Sequence, residues 1–209
     1  KRGGFEDTRG TLFFEIARLA RILKPRYLLL ENVKGLLNHS GGTTFATILN
    51  TLGELGYWWE YQILNSKDFG VPQNRERVFI IGHSRRFPRR EIFPITRSSG
   101  QALRQLVGGT QGYRVYDPAG VSVTLASQAG GMGAKTGLYA VPAGNKEAKR
   151  GYRIRRLTPL ETFRLQGFPD EFFHRAKAAG VSDSQLYKQA GNAVTVNVVY
   201  EIARRLQND

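Results

Sequence analysis

The sequence KPRYLLLENVKGLL (Lys24–Leu37) carries an apolar run directly into an acid, Glu31. Its four residues Tyr27–Leu30 predict a short buried strand, because a brief apolar run after a proline is typical of a sheet core. A surface loop tolerates a glutamate at that point, whereas a buried carboxylate needs a partner or a chemical task. Whether Glu31 has such a task depends on the groups that the rest of the chain supplies.

Helical and strand patterns alternate around this stretch. The apolar spacing predicts helices over Thr11–Leu23 and Thr43–Leu55, and Gly56 fits the C-terminal cap of the second helix. Aromatic and β-branched runs predict strands over Tyr57–Leu64 and Val78–Gly82. Helices that alternate with strands predict an α/β fold in which a doubly wound sheet is covered by helices.

The composition changes after Ser84. Residues 85–150 are rich in Gly, Arg, Ser and Pro and predict a separate loop-rich lobe, in which Ser122–Leu125 and Leu138–Val141 are short strand candidates. From Arg155 onward the helical pattern returns and predicts three helices, over Pro159–Gln166, Ser184–Gln189 and Ala193–Leu206.

The positive charge of the chain is concentrated in this lobe. The formal net charge of all 209 residues is +14, and the segment Arg85–Arg156 contains 14 lysines and arginines against 3 acids. Such clustering is typical of a surface that binds a polyphosphate, and nucleic acid is the corresponding partner. The alternative is a solvated basic loop region.

Composition also excludes several classes of site and location. The chain has no cysteine, which excludes disulfides, thiolate metal sites and a cysteine nucleophile within these residues. Its three histidines lack the spacing of metal ligands, so no metal site is expected. No apolar run reaches 18 residues, and the first residues do not have the pattern of a signal peptide. We therefore expect a cytoplasmic protein without a membrane segment.

Four stretches, taken in order, resemble motifs of the bacterial cytosine-5 DNA methyltransferases. They are ENV (Glu31–Val33), PQNRERVFIIG (Pro72–Gly82), RRLTPLETFRLQGFP (Arg155–Pro169) and QLYKQAGNAV (Gln185–Val194). The resemblance covers nearly the whole chain and implies a Rossmann-like methyltransferase sheet whose N-terminal part is missing. It divides the chain into a partial catalytic domain (1–84), a target-recognition domain (85–154) and a C-terminal helical part (155–209) that returns to the catalytic domain.

The resemblance implies roles for one acid and two guanidinium groups. Methylation of cytosine at C5 requires a nucleophile at C6 and neutralisation of the charge that then flows onto N3 and O2. The family pattern assigns Glu31 to N3 and the exocyclic amine, and Arg77 to O2, with Arg75 beside it. The expected position of Glu31 is just past the carboxyl end of a parallel strand. Alternatively, Glu31 caps a turn and the two arginines are charges at a strand edge.

The methyl donor implied by the resemblance is S-adenosyl-L-methionine. The cofactor contacts that these residues can supply are Thr11, Leu12, Asn192 and Ala193; Asn192 could equally cap the following helix. The family's nucleophilic cysteine and its glycine-rich cofactor loop are missing. We therefore expect the chain alone to be inactive, as a fragment or as one polypeptide of a split enzyme whose N-terminal half is separate.

The implied substrate is double-stranded DNA, from which the target base must be extruded. The family pattern gives DNA contacts to Arg114 and the pair Thr124 and Leu125. It also gives them to four residues of a glycine-rich loop: Ser127, Gln128, Gly130 and Gly131. These glycines could instead provide only loop flexibility. Two other functions stay open, namely an RNA cytosine-5 methyltransferase of the same fold and a DNA-binding remnant without activity.

The third motif predicts structure more than chemistry. Thr158 fits a helix N-cap, with Pro159 at the first helical position and Glu161 as the partner in a capping box. Apolar residues of the motif should anchor the recognition lobe; they are Leu157, Phe163, Leu165 and Phe168.

Overall fold

The structure, a computed structural model, describes residues 8–110, 113–126, 137–142 and 151–207, without the side chains of residues 8–11. The described residues form two compact units. The first lies within Lys1–Leu64 and Glu76–Thr96, and the second lies within Asn65–Arg75 and Arg97–Asp209. These limits do not coincide with the predicted boundaries after residues 84 and 154.

In the part of the chain that the structure describes, the first unit contains two helices, α1 Thr8–Leu23 and α2 Thr43–Glu54. Its three strands, β1 Tyr27–Val33, β2 Tyr57–Asn65 and β3 Glu76–Ser84, form a sheet of order β1-β3-β2. The strands β1 and β3 pair in antiparallel fashion. A 3-10 segment, Lys34–Gly42, follows β1. The predicted helices and strands of this region are thus confirmed, but β1 extends three residues beyond its predicted end.

The apolar core of this unit lies between α2 and the sheet. Ile48, Leu49 and Leu52 are buried at helical spacing, and Val78 and Ile80 are buried on one face of β3 because strand side chains alternate. The chain leaves α2 through Gly56, whose φ of 84° is a left-handed conformation that glycine adopts without strain.

The segment after β3 stays with the first unit because a side chain of β2 binds its backbone. The carboxylate of Glu60 accepts hydrogen bonds from the backbone N–H of Ile92 (2.9 Å) and Phe93 (3.0 Å), and its distance to His83 Nε2 is 2.7 Å. Burial opposes the charge of Glu60, but these hydrogen bonds prevail and lower its pKa. The first unit therefore continues past residue 84.

Among its described residues, the second unit contains a small sheet of four strands, namely β4 Gln105–Val107, β5 Val115–Tyr116, β6 Leu138–Pro142 and β7 Tyr152–Arg155. The same residues form four helices, namely α3 Pro159–Leu165, α4 Asp170–Ala178, α5 Asp183–Asn192 and α6 Val196–Gln207. The strand order is β4-β5-β6-β7, with the central pair β5 and β6 parallel and the outer pairs antiparallel. A 3-10 turn, Ser66–Phe69, precedes this sheet in sequence.

The predicted start of α3 is confirmed in detail. The Thr158 hydroxyl accepts from the backbone N–H of Glu161, the Glu161 carboxylate accepts from the backbone N–H of Thr158, and Pro159 opens the helix. Hydrogen bonds from Arg155 hold the pKa of Glu161 at about 2. The apolar residues of the motif pack in one cluster with residues of the basic lobe and of α5. The buried members of this cluster are Leu125, Phe163, Leu165, Leu186 and Ala190, and Leu157 and Phe168 pack against them.

Three predictions for this unit were wrong. Ser122–Leu125 is not a strand, because only Ser122 pairs, in an isolated bridge with Gln73. The helix predicted over Ala193–Leu206 begins at Val196, since Ala193 has extended backbone angles (φ −66°, ψ 153°). Asn192 ends α5, so it does not cap the following helix.

Candidate active site and nucleic-acid interface

The strand register brings Glu31 and Arg77 together. Val33 lies opposite Arg77 in the antiparallel pair, so Glu31, two residues before Val33, is on the same face as Arg77 and diagonal to it. Long side chains span that diagonal, and Arg77 Nε lies 3.0 Å from Glu31 Oε1. The acid and the guanidinium therefore converge, as expected. The expected location of Glu31 past the end of a strand was wrong, because it lies inside β1 opposite Phe79.

This pair is largely withdrawn from water but retains free hydrogen-bonding atoms. The side chains of Arg77 and Glu31 are 14% and 25% exposed. Burial lowers the pKa of the Arg77 guanidinium, and the nearby carboxylate of Glu31 opposes that shift. Arg77 Nη1 donates to the carbonyl oxygen of Glu76 at 2.8 Å. Among the described residues, Glu31 Oε2 and Arg77 Nη2 make no hydrogen bond, so both atoms can still bind a ligand.

Arg75 is placed differently from Arg77, although only one residue separates them. Its side chain is buried (3% exposed), and its guanidinium donates to three carbonyl oxygens, those of Leu125 (3.1 Å), Gly191 (3.2 Å) and Ala193 (2.9 Å). A group enclosed in this way holds backbone segments in position and does not touch a substrate. The prediction that Arg75 acts beside Arg77 as a catalytic group is therefore corrected to a positioning role.

The structure describes the side chains of three of the four predicted cofactor residues. The side chain of Thr11 lies outside the described residues, and Leu12 is exposed on α1. Asn192 is exposed, and within the described part of the chain its amide group makes no hydrogen bond. Ala193 is fixed by its N–H, which donates to Gln189, and by its carbonyl, which accepts from Arg75. An available amide next to a fixed backbone fits the polar end of a small ligand.

Two of the predicted DNA contacts line one cleft. Arg114 and Thr124 border a cleft of about 250 Å³, together with Asn74, Gln105 and other residues of the second unit. Arg114 Nε donates to the carbonyl oxygen of Gly109 (2.9 Å), and Thr124 Oγ1 donates to that of Asn74 (2.6 Å). Both side chains are thus oriented by backbone contacts at the edge of this cleft.

The remaining predicted DNA contacts are either buried or outside the described residues. Leu125 is 2% exposed and packs in the apolar cluster around α3, so its side chain is not available to DNA, which corrects that prediction. Its burial fixes the neighbouring Thr124. Ser127, Gln128, Gly130 and Gly131 lie outside the described residues.

Sequence reasoning did not identify a group of buried polar side chains around Arg75. Gln73 Nε2 donates to the Leu165 carbonyl (2.8 Å), and Gln166 Nε2 donates to the Ala190 carbonyl (2.7 Å). Thr195 Oγ1 donates to Gln166 Oε1 at 2.9 Å. Both glutamines lie within the quoted motifs, but nothing in a sequence separates a buried glutamine from an exposed one.

The residues that the structure describes contain neither a metal site nor a membrane span. No cluster of His, Asp and Glu side chains suited to a metal ion occurs among residues 8–110, 113–126, 137–142 and 151–207. Within the same ranges, no helix has the length and apolarity needed to cross a bilayer.

Several known proteins are similar to this chain in sequence. A family model described as C-5 cytosine-specific DNA methylase matches residues 1–107 and 97–208. The type II methyltransferase M.SsoII of Shigella sonnei is 40% identical over 97% of this chain and 58% of its own length. The type II methyltransferase M.HhaI of Haemophilus parahaemolyticus is 35% identical over 97% of this chain and 69% of its own length. The chain thus spans less than two thirds of the first relative.

Solved structures show the same fold at lower identity. The Schizosaccharomyces pombe Dnmt2 methyltransferase superposes with a TM-score of 0.71 at 17% identity, over 99% of this chain and 73% of that protein. The Entamoeba histolytica methyltransferase EhMeth superposes with a TM-score of 0.70 at 19% identity, over 97% of this chain and 69% of that protein. The α/β methyltransferase fold expected from the sequence is confirmed by these neighbours.

Proposed function

Since this chain belongs to the C-5 cytosine-specific DNA methylase family, we propose that it is the larger C-terminal part of an enzyme that methylates cytosine C5 in duplex DNA. The methyl donor is S-adenosylmethionine, and the enzyme belongs to a bacterial modification system and acts in the cytoplasm. The observation that carries the proposal is the ion pair of Glu31 and Arg77, whose outer atoms remain available to a base.

The two side chains have complementary tasks in this reaction. Addition of a nucleophile to cytosine C6 makes C5 electron-rich and places negative charge on N3 and O2. Glu31 holds a proton or hydrogen bond at N3 and the exocyclic amine, as a general acid–base group. Arg77 donates to O2 and stabilises the charge that develops there. When it is bound, S-adenosylmethionine supplies the electrophilic methyl group, and the exposed amide of Asn192 contributes to its binding.

A further protein segment completes the site. The chain contains no cysteine, so the nucleophile that adds to C6 must come from other residues. Helix α1 supports such a segment, because six of its apolar side chains are exposed. They are Leu12, Phe14, Ile16, Leu19, Ile22 and Leu23. Exposed apolar residues grouped on one helix are typical of a surface that another element covers.

Complementation tests this proposal. The chain is co-expressed with the part of M.SsoII that it does not cover, and incorporation from tritiated S-adenosylmethionine is measured with unmethylated duplex DNA or a tRNA transcript. We expect incorporation into DNA only when both polypeptides are present. Incorporation by the 209-residue chain alone would show that no completing segment is needed. Incorporation into tRNA only would identify an RNA enzyme. A folded complex that incorporates label into neither DNA nor tRNA would contradict methyl transfer.

The cleft lined by Arg114 and Thr124 is the proposed base-reading surface. An arginine at a guanine edge donates two hydrogen bonds, so Arg114→Ala in the active complex should weaken discrimination at one base pair by about 1–3 kcal/mol. Binding to random duplex should change little. The measurement is competition binding with single-base variants of the target site. The control Arg104→Ala removes an exposed guanidinium that does not line the cleft, and equal losses for both variants would contradict base reading by Arg114.

A further inference from the structure

Arg75 joins two segments that are far apart in sequence. Its Nη1 donates to the carbonyl oxygen of Leu125, and its Nη2 donates to those of Gly191 and Ala193. The backbone of Arg75 is itself held, because its N–H donates to Asn65 Oδ1 (3.0 Å) and its carbonyl accepts from the N–H of Ser66 (3.0 Å). The guanidinium is therefore anchored at its base and bonded to both segments at its tip.

The two segments have different proposed ligands, DNA for the Thr124–Leu125 segment and the cofactor for residues 191–193. Leu125 follows Thr124, whose side chain borders the proposed base-reading cleft. Gly191 and Ala193 flank Asn192, whose exposed amide is the proposed cofactor contact. A displacement of either segment changes the hydrogen bonds of the same planar group. The guanidinium fork is rigid, so its three bonds cannot adjust independently.

Neighbouring buried polar side chains lack this double connection. Gln73 bonds to Leu125 N–H through Oε1 (3.2 Å) and to the Leu165 carbonyl, but to no atom of residues 191–193 among the described contacts. Gln166 bonds to the Ala190 carbonyl and to Thr195, but not to residues 122–125 among those contacts. These glutamines are thus matched controls, each of which contacts one side only.

We propose that Arg75 is a positioning residue that couples the binding of DNA to the binding of the cofactor. The proposal rests on the function proposed above and adds a regulatory link within the same site. Ordering of residues 191–193 by the cofactor pre-orients the Thr124–Leu125 segment through Arg75, and DNA has the reciprocal effect. Thermodynamic linkage requires the two effects on affinity to be equal.

The test uses the active complex and the cofactor product S-adenosylhomocysteine. The dissociation constant for duplex DNA is measured without and with saturating S-adenosylhomocysteine, and the ratio of the two values is the coupling factor. We expect a factor of about 5 or more in the wild type. In Arg75→Lys the charge remains but one nitrogen cannot reach all three carbonyls, so the factor should fall to about 1. Gln73→Met and Gln166→Met should retain the wild-type factor.

The outcomes separate this inference from the proposed function. A wild-type factor of about 1, a wild-type factor in Arg75→Lys, or an equal loss in the glutamine variants overturns the coupling role. A wild-type complex that binds neither ligand contradicts the proposed function instead.

Hydrogen exchange of the wild type provides a second test that does not depend on a folded variant. DNA alone should increase the protection of amides in residues 190–196, and S-adenosylhomocysteine alone should increase that of residues 122–126. The inference is overturned if DNA protects only residues 122–126 and S-adenosylhomocysteine protects only residues 190–196.

Discussion

Glu31→Gln is expected to lower kcat for methyl transfer by about 10²–10⁴ in the active complex, which is the usual contribution of a positioned acid–base group. Glutamine keeps the size of the side chain and one carbonyl oxygen, but it cannot hold an exchangeable acid proton at cytosine N3. The chemical step should suffer, while the dissociation constant for DNA should change little. Single-turnover kinetics with tritiated S-adenosylmethionine separate these two quantities.

Glu76→Gln is the matched control for this prediction. Glu76 also belongs to the sheet of the first unit, but its side chain is 45% exposed and pairs with Lys34 at 3.0 Å. Loss of an exposed ion pair costs little, so the kcat of Glu76→Gln should stay close to that of the wild type. Similar rates for Glu31→Gln and Glu76→Gln would remove Glu31 from the mechanism.

Arg77→Lys should lower kcat by about 10²–10³, the effect of removing one preorganised donor from a developing oxyanion. Lysine retains the positive charge but lacks the planar guanidinium. In Arg77 one nitrogen of that group pairs with Glu31, a second donates to the Glu76 carbonyl, and a third stays available to cytosine O2. The loss should appear in the chemical step, measured as above. Arg89→Lys, at a half-exposed arginine near Glu91, provides the control and should be nearly neutral.

The double variant tests whether the two groups act as a unit. If Glu31 and Arg77 stabilise the same transition state, the combined change should cost little more than the worse single change, because residues that work together are non-additive. Fully additive losses, with each single variant also impaired, would indicate that the two groups act in separate steps.

Much of the secondary structure could be predicted from the chain, and the reasons are local. The helix over residues 43–54 has buried positions at helical spacing, and α3 begins with the predicted Thr158–Glu161 capping box because both partners lie within one turn. Predictions were poorest in the basic lobe. There the strand β5 has only two residues, Val115 and Tyr116, and its pairing comes from distant segments, so local propensity has little influence.

Arg75 and Arg77 show the limit of motif reasoning at the site. The two arginines belong to one short motif and have the same chemistry, yet one is enclosed by backbone carbonyls and the other pairs with Glu31. Two arginines at positions i and i+2 of a regular strand would share one face of the sheet. Arg75, however, precedes β3, which begins at Glu76, so strand alternation does not govern its side chain.

The sequence by itself determined the family, the alternation of helices and strands, the basic character of residues 85–156 and the absence of a thiol nucleophile in this chain. These properties depend on residue type, order and local spacing. Only the tertiary structure decided that Glu31 lies within a strand, that it meets Arg77, and that Arg75, Gln73 and Leu125 are buried. The physical reason is that strand register and burial arise from contacts between residues distant in sequence, which no local pattern encodes.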